Sequence, residues 1–255
     1  MHILSLGGHV AVVALLCGLM SSQVKAGEVT AAVASNFAAP MERIVAQFQH
    51  DTGHTVKVSL GSSGKFYSQI KQGAPFDVFL AADEEMPQRL VQEGLAVGGT
   101  CFVYAEGKLV LWSAQPGLVD AQGAVLRKGG YTKLAIADPR LAPYGMAGKE
   151  SLERLGLWNA IQGRVVTGEN VTQTYQYAAT GNADLGFVAL SQVMRDGRVT
   201  EGSYWLVPSE LYTPIRQSSV LLSGAKDKAA AQALLNYLKG EPAKVVIRSF
   251  GYGLP

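Results

Sequence analysis

Basic clusters are missing from this 255-residue chain. Its 22 Lys and Arg residues balance 20 Asp and Glu residues and never form a run. Duplex nucleic acid and anionic membrane surfaces both call for gathered positive charge, so neither is an expected partner. Cysteine is equally scarce: Cys17 lies near the amino end and Cys101 in an apolar, strand-like setting. Loss of a leader carrying Cys17 leaves one thiol, which makes no internal disulfide and reads as a small buried hydrophobe. Beyond residue 26 only His50 and His54 remain of the four histidines. Their spacing is interrupted by Gly53 and lacks a glutamate after His50, which argues against a zinc protease and for two solvated histidines at a helix end. Gly61-Ser62-Ser63-Gly64 is not a nucleophile elbow, and Gly64-Lys65-Phe66 lacks the hydroxyl residue that a phosphate loop needs. No internal repeat, low-complexity tract or second long hydrophobic run is present. Enzymatic hydrolysis is not expected.

What is present begins with an export signal. Residues 10–20 form an apolar run too short to span a bilayer, followed by Val24-Lys25-Ala26, a small-residue cleavage pattern. Residues 1–26 are read as a signal peptide cut before Gly27, and Leu16 before Cys17 does not fit a lipidation site. Removing Lys25 leaves 21 basic against 20 acidic residues, a formal charge of +1.

After Gly27, short apolar strands alternate with amphipathic helices. Strands are expected at 29–34, 56–60, 78–81, 109–113, 134–137, 165–166, 185–188 and 220–223. Helices are expected at 38–50, 66–72, 86–93, 145–155, 171–180 and 228–239. Such alternation specifies an α/β chain with mostly parallel sheets covered by helices on both faces. No Pro/Gly/Ser linker divides it, as expected when the chain crosses between lobes and returns.

In open parallel sheets ligands bind beyond the carboxyl ends of the strands, where helix amino ends point. Four strand-to-helix turns deserve reading: Ala34-Ser35-Asn36, Gly61 to Lys65, Asp138 to Gly145, and Gly168 to Thr172. Each places small or hydroxyl residues where unsatisfied helical N–H groups emerge, a setting suited to anions. Helix capping explains each turn taken singly. Lys65 and Arg140 read as solvated surface charges.

Ala34-Ser35-Asn36, the Gly61 to Gly64 turn, Gly73-Ala74-Pro75-Phe76-Asp77-Val78-Phe79 and Pro143-Tyr144-Gly145 together resemble the periplasmic molybdate-binding proteins of ABC transporters. So do Glu169-Asn170-Val171, Leu185-Gly186-Phe187-Val188 and the closing Phe250-Gly251, in order over nearly all of the chain after the leader. The resemblance implies a type II periplasmic binding architecture: lobe one from residues 27–105 plus 216–255, lobe two from 106–215, and a ligand cleft between them. It implies a molybdate or tungstate site at Ser35, Asn36, Ser63, Tyr144 and Val171, with hydroxyls and amides from the serines, a phenol from Tyr144 and the backbone N–H of Val171. Ala189 stands where some members carry a tyrosine. No cofactor and no directly coordinated metal is implied. The partner would be an inner-membrane permease, and the protein a periplasmic monomer. Sulfate, phosphate or a sensing role stay open as alternatives on the residues alone.

Overall fold

The structure, a computed structural model, describes residues 26–255. The leader expected at 1–26 lies outside the described residues except for Ala26.

The chain opens with β1 (Glu28–Ala34), α1 (Ala38–Thr52), β2 (Thr55–Gly61), α2 (Ser63–Lys71), β3 (Val78–Leu80), α3 (Glu85–Gln92) and β4 (Phe102–Gly107). It continues with β5 (Leu109–Ser113), α4 (Val125–Lys128), β6 (Leu134–Ala137), α5 (Pro143–Arg154), α6 (Trp158–Ile161), β7 (Val165–Gly168), α7 (Val171–Ala179), β8 (Leu185–Ala189) and α8 (Leu190–Val193). A small hairpin, β9 (Met194–Arg195) and β10 (Arg198–Val199), precedes β11 (Ser203–Leu206). The return is made by β12 (Ile215–Leu221), α9 (Lys228–Lys239) and α10 (Glu241–Ser249).

Two five-stranded sheets result, ordered β2-β1-β3-β12-β4 and β7-β6-β8-β5-β11. They share one plan. Three parallel strands in each are followed by an antiparallel strand, β12 in the first and β5 in the second. The sheets are thus mixed rather than uniformly parallel. The reason lies in the chain path: β5 and β12 are the strands that enter each lobe from the other, and they run opposite to the strands launched by the helical crossovers. β4 passes into β5 through Lys108 alone, so the first sheet draws on both ends of the chain.

Period-two burial explains how one strand serves two layers. Val29, Ala31 and Val33 of β1 pack with Phe37, Met41, Ile44 and Phe48 of the α1 side and with Leu234, Leu235 and Ile247 of the carboxyl helices. Ala32, with Phe79 of β3, faces Phe66, Ile70 and Leu90 on the opposite side. A separate core fills the second lobe around Leu109, Leu111, Leu134, Phe187 and Val188. β2 is an edge strand, and Val58 and Leu60 remain exposed on it.

The Gly-Ala-Pro-Phe-Asp segment acts in the scaffold. The buried Asp77 carboxylate accepts from the N–H of Thr30 at 2.7 Å and from that of Lys226 at 2.7 Å. It therefore fastens the first strand to the loop leading into α9. His54 also departs from expectation. It is buried, stacks on Phe48 at 5.8 Å between ring centroids, and accepts the Gly27 N–H on Nδ1 at 2.8 Å. His50 is exposed and pairs with Asp51.

Candidate functional site

Strand register brings the expected turns together. Ala34 pairs with Gly61, so Ser35 and Ser62 leave adjacent strand ends side by side. Ala137 likewise pairs with Gly168, which aligns the turns leading to α5 and α7. The two lobes meet across these ends: Gly64 N–H donates to the Leu141 carbonyl at 3.0 Å, and Thr172 Oγ1 donates to the Ser35 carbonyl at 3.2 Å. Four chain turns, two from each lobe, therefore frame one cleft.

The donors these turns offer differ. Ser35, 5 % exposed, opens a short 3₁₀ turn (Ser35–Phe37). Ser63 is the first residue of α2, where its amide has no intrahelical acceptor. Its Oγ accepts the Ala82 N–H at 2.8 Å and keeps one hydroxyl proton to donate, with the neighbouring Asp83 side chain as an acceptor within reach. Ser62, at the N-cap, makes no capping bond, and its buried hydroxyl has no hydrogen-bond partner among the described residues. In lobe two, Asn170 caps α7 by accepting from the amides of Thr172 and Gln173 at 3.0 and 3.1 Å. The cap satisfies the second and third amides of the helix and spares the first, that of Val171.

One expected contributor is narrowed and one expected role changes. Asn36 is buried between the lobes, but both protons of its side-chain amide are spent, on Gln217 Oε1 and on the Tyr252 hydroxyl, each at 2.8 Å. Only its backbone N–H is left to offer. The Tyr144 phenol, expected to face a ligand, instead lies against Gly107 and accepts from Gln217 Nε2 at 3.3 Å. The Tyr144 amide lies in the first turn of α5, where it has no intrahelical acceptor, behind Pro143, whose missing N–H costs nothing at that position. Gly145 fixes this geometry, since a Cβ there would lie 2.1 Å from the Ala137 carbonyl oxygen.

Behind the turns lies a buried uncharged network that sequence reading missed. It joins Asn36, Tyr104, Tyr144, Ser191, Gln217 and Tyr252, each at most 5 % exposed. Tyr104 and Gln217 sit on β4 and β12, the strands flanking the two crossings. Burial pushes the Tyr252 hydroxyl up to about 12 and those of Tyr104 and Tyr144 well above their ordinary range, so all three stay protonated. Gln, Tyr and Ser in strands and a tail carry no motif, and only their burial marks them.

Basic charge stays outside. Lys65 bridges to Glu169 across the cleft mouth at 3.1 Å with both side chains exposed, and Arg140 is held by Asp138 of its own turn at 2.7 Å. The guanidinium beside it holds the Asp138 carboxyl below its usual range. One acid lies close: Asp83 follows Ala82 and caps α3 through the Met86 N–H at 2.7 Å. Burial pushes its carboxyl up to about 6. It lines a cavity of about 300 Å³ between the lobes, with Gly64, Met86, Leu141, Pro143 and Met146. Among the described residues no group of three His, Cys, Asp or Glu side chains is placed to hold a metal ion. The site therefore presents neutral N–H and O–H donors, which is the chemistry for coordinating an oxyanion.

Residues 29–253 match the family described as bacterial extracellular solute-binding proteins. The chain belongs to that family. Within it, the chain is 56 % identical over 243 residues to the molybdate-binding protein ModA of Azotobacter vinelandii, covering 95 % of this chain and 96 % of the relative. It is 51 % identical to the molybdate-binding protein ModA of Rhodobacter capsulatus, covering 94 % and 93 %. Among solved structures, the periplasmic molybdate-binding protein of Azotobacter vinelandii superimposes with a TM-score of 0.87 at 44 % identity, covering 89 % of this chain and 99 % of that one. This solute-binding family member thus shares with those proteins its two-lobed α/β architecture.

Proposed function

We propose that this solute-binding protein captures molybdate, and tungstate with it, between its lobes in the periplasm and hands it to the permease of an ABC transporter. The carrying observation is the convergence of first-turn amides from α2, α5 and α7 with the Ser35 turn, while Lys65 and Arg140 are tied up in surface ion pairs. A rigid array of neutral donors neutralises a dianion by hydrogen bonds and discriminates by size, because it cannot collapse around a smaller ion. The contacts assigned are the hydroxyls and amides of Ser35 and Ser63 and the amides of Asn36, Tyr144 and Val171. Hydrogen bonds to a charged group are each worth about 1.5–3 kcal/mol, so a handful supports tight capture, and no bond is made or broken.

The mature protein is read as a monomer beginning at Gly27, with lobe one at 27–105 plus 216–255 and lobe two at 106–215. The Gly27–His54 bond supports that start, since a new α-amine would meet the imidazole nitrogen. Closure is favoured by ligand because both lobes donate to the same anion.

Calorimetric titration and thermal shift with molybdate, tungstate, sulfate and phosphate test the reading. Molybdate and tungstate are expected to raise the melting temperature strongly, and the other two to do little at equal concentration. Equal shifts with all four anions overturn the selectivity.

A further inference from the structure

The Ser35-Asn36 turn is fastened to lobe two from behind. The Ser35 carbonyl accepts from Thr172 Oγ1 at 3.2 Å, and the Asn36 carbonyl lies 2.9 Å from Ser191 Oγ and 2.9 Å from the Tyr252 hydroxyl. Thr172 and Ser191 belong to lobe two, on α7 and α8. Tyr252 sits on the carboxyl-terminal tail, which is pinned to β4 by paired Glu106–Gly253 backbone bonds at 2.8 and 2.9 Å. Ser191 Oγ and the Tyr252 hydroxyl are also within 2.9 Å of each other, so with one proton apiece one of them bonds the carbonyl directly while the other completes the chain. Gln217 adds a second strut, accepting from Asn36 Nδ2 and donating to the lobe-two phenol of Tyr144.

We propose that Thr172, Ser191 and Tyr252 form a closure latch that sets affinity without touching the anion. Every one of these bonds to lobe two forms only when the lobes are together, and none requires ligand. The latch therefore fixes how much of the ligand-free protein is already closed, and the apparent dissociation constant scales inversely with that fraction. The Thr172 bond to the Ser35 carbonyl also orients the peptide group whose other end is the Asn36 N–H, so that hydroxyl positions the Asn36 donor. Gly107 makes room for the latch: a Cβ there would lie 2.1 Å from the Tyr144 hydroxyl and 2.9 Å from Gln217 Nε2. Gly107 lies at the crossing itself, paired with Ile215 in the first sheet, so bulk added there pushes the Tyr144 hydroxyl away from Gln217.

The affinity arm rests on the molybdate reading above, whereas the ligand-free arm does not. Ser191→Ala combined with Tyr252→Phe, Thr172→Val, and separately Gly107→Ala are compared with the parent full-length mature protein. Ligand-free small-angle scattering is expected to give a larger radius of gyration for each variant, and saturating molybdate to restore the parent value for the hydroxyl variants. Stopped-flow measurement with molybdate is expected to give dissociation faster by about tenfold for the double variant, with association unchanged and the ranking of anions preserved. Ligand-free scattering identical to the parent in all variants overturns the latch, as does an affinity loss carried by the association rate. Gly107→Ala complements the test, since it keeps every hydroxyl and displaces the Tyr144 phenol from Gln217 by bulk alone. Failure of molybdate to bind the parent protein at all sinks the molybdate reading, while the ligand-free scattering still decides the latch.

Discussion

Lobe one and lobe two share a strand plan but meet the cleft with different chemistry. Lobe one offers Ser35 and Ser63, whose side chains are themselves donors. Lobe two offers Tyr144 and Val171, whose side chains point elsewhere: one joins the network at the crossings, and the other is packed in the core. The difference teaches that, if the proposed contacts hold, a mutation scan to alanine would detect the two serine hydroxyls and overlook the amides.

The sharpest way to test that contrast is to delete an amide. Val171→Pro removes the N–H at the first helical position, where proline is tolerated, behind an Asn170 already extended at φ −154° and ψ 173°. Molybdate affinity is expected to fall by about 10- to 100-fold, as loss of one charged hydrogen bond implies. Val171→Ala, read in the same calorimeter, is expected to lower stability through lost packing and leave affinity within about twofold. Equal affinities for the two variants would remove the Val171 amide from the site.

In lobe one the side chain itself is tested. Ser63→Ala is expected to weaken binding by about 1–3 kcal/mol, since a buried donor to the anion is lost. Ser62→Ala discards a buried hydroxyl with no partner among the described residues, so affinity is expected to hold and the melting temperature to stay level or rise. The reverse order would transfer the contact from one serine to its neighbour.

Smaller still is the effect of Asp83 on ligand-free stability. Its folded carboxyl titrates at about 6, above the value of roughly 3.9 for an unfolded aspartate. The folded chain thus binds the proton more tightly, and the stability this confers is complete below pH of about 4 and lost as pH rises through about 6. Asp83→Asn is expected to flatten that part of the curve of melting temperature against pH, and an unaltered slope would assign it to other groups. The least effect belongs to Lys65→Ala, which breaks an exposed pair with Glu169. Affinity is expected to change by less than about twofold. Abolished binding would instead mean that charge, and not neutral donors, holds the anion.

Much of the frame was legible because it depends on local pattern. The strand at 109–113 and the helix at 228–239 coincide with β5 and α9, since the first is an apolar run between Lys108 and the polar Ser113 and the second lies between Asp227 and Gly240. The α2 helix begins three residues before its expected start. Ser63-Gly64-Lys65 shows no apolar periodicity, and the helix there is stabilised by Ala82 and Leu141 from outside the segment. β11 and the β9–β10 hairpin went unread, as two to four residues give too little pattern to distinguish strand from loop. His54 was misplaced in solvent because nothing nearby in sequence announces Phe48 and Gly27 as its neighbours.

The resemblance and the site separate in an instructive way. Gly-Ala-Pro-Phe-Asp is the most distinctive sequence feature, and its aspartate fastens two scaffold segments together without reaching the cleft. The cleft contacts rest on serines and amides that are individually commonplace.

Sequence alone determined the alternation of strands and helices, the turns at the strand ends and the absence of charge among them, because each is a property of neighbouring residues. Tertiary structure decided which groups of each residue are left free to bind and which are already bonded within the protein. The Tyr144 phenol and the Asn36 amide are claimed by Gln217 and Tyr252 from 73 and 216 residues away. A polar side chain bonds to whatever the fold brings within reach, and no local pattern records what that will be.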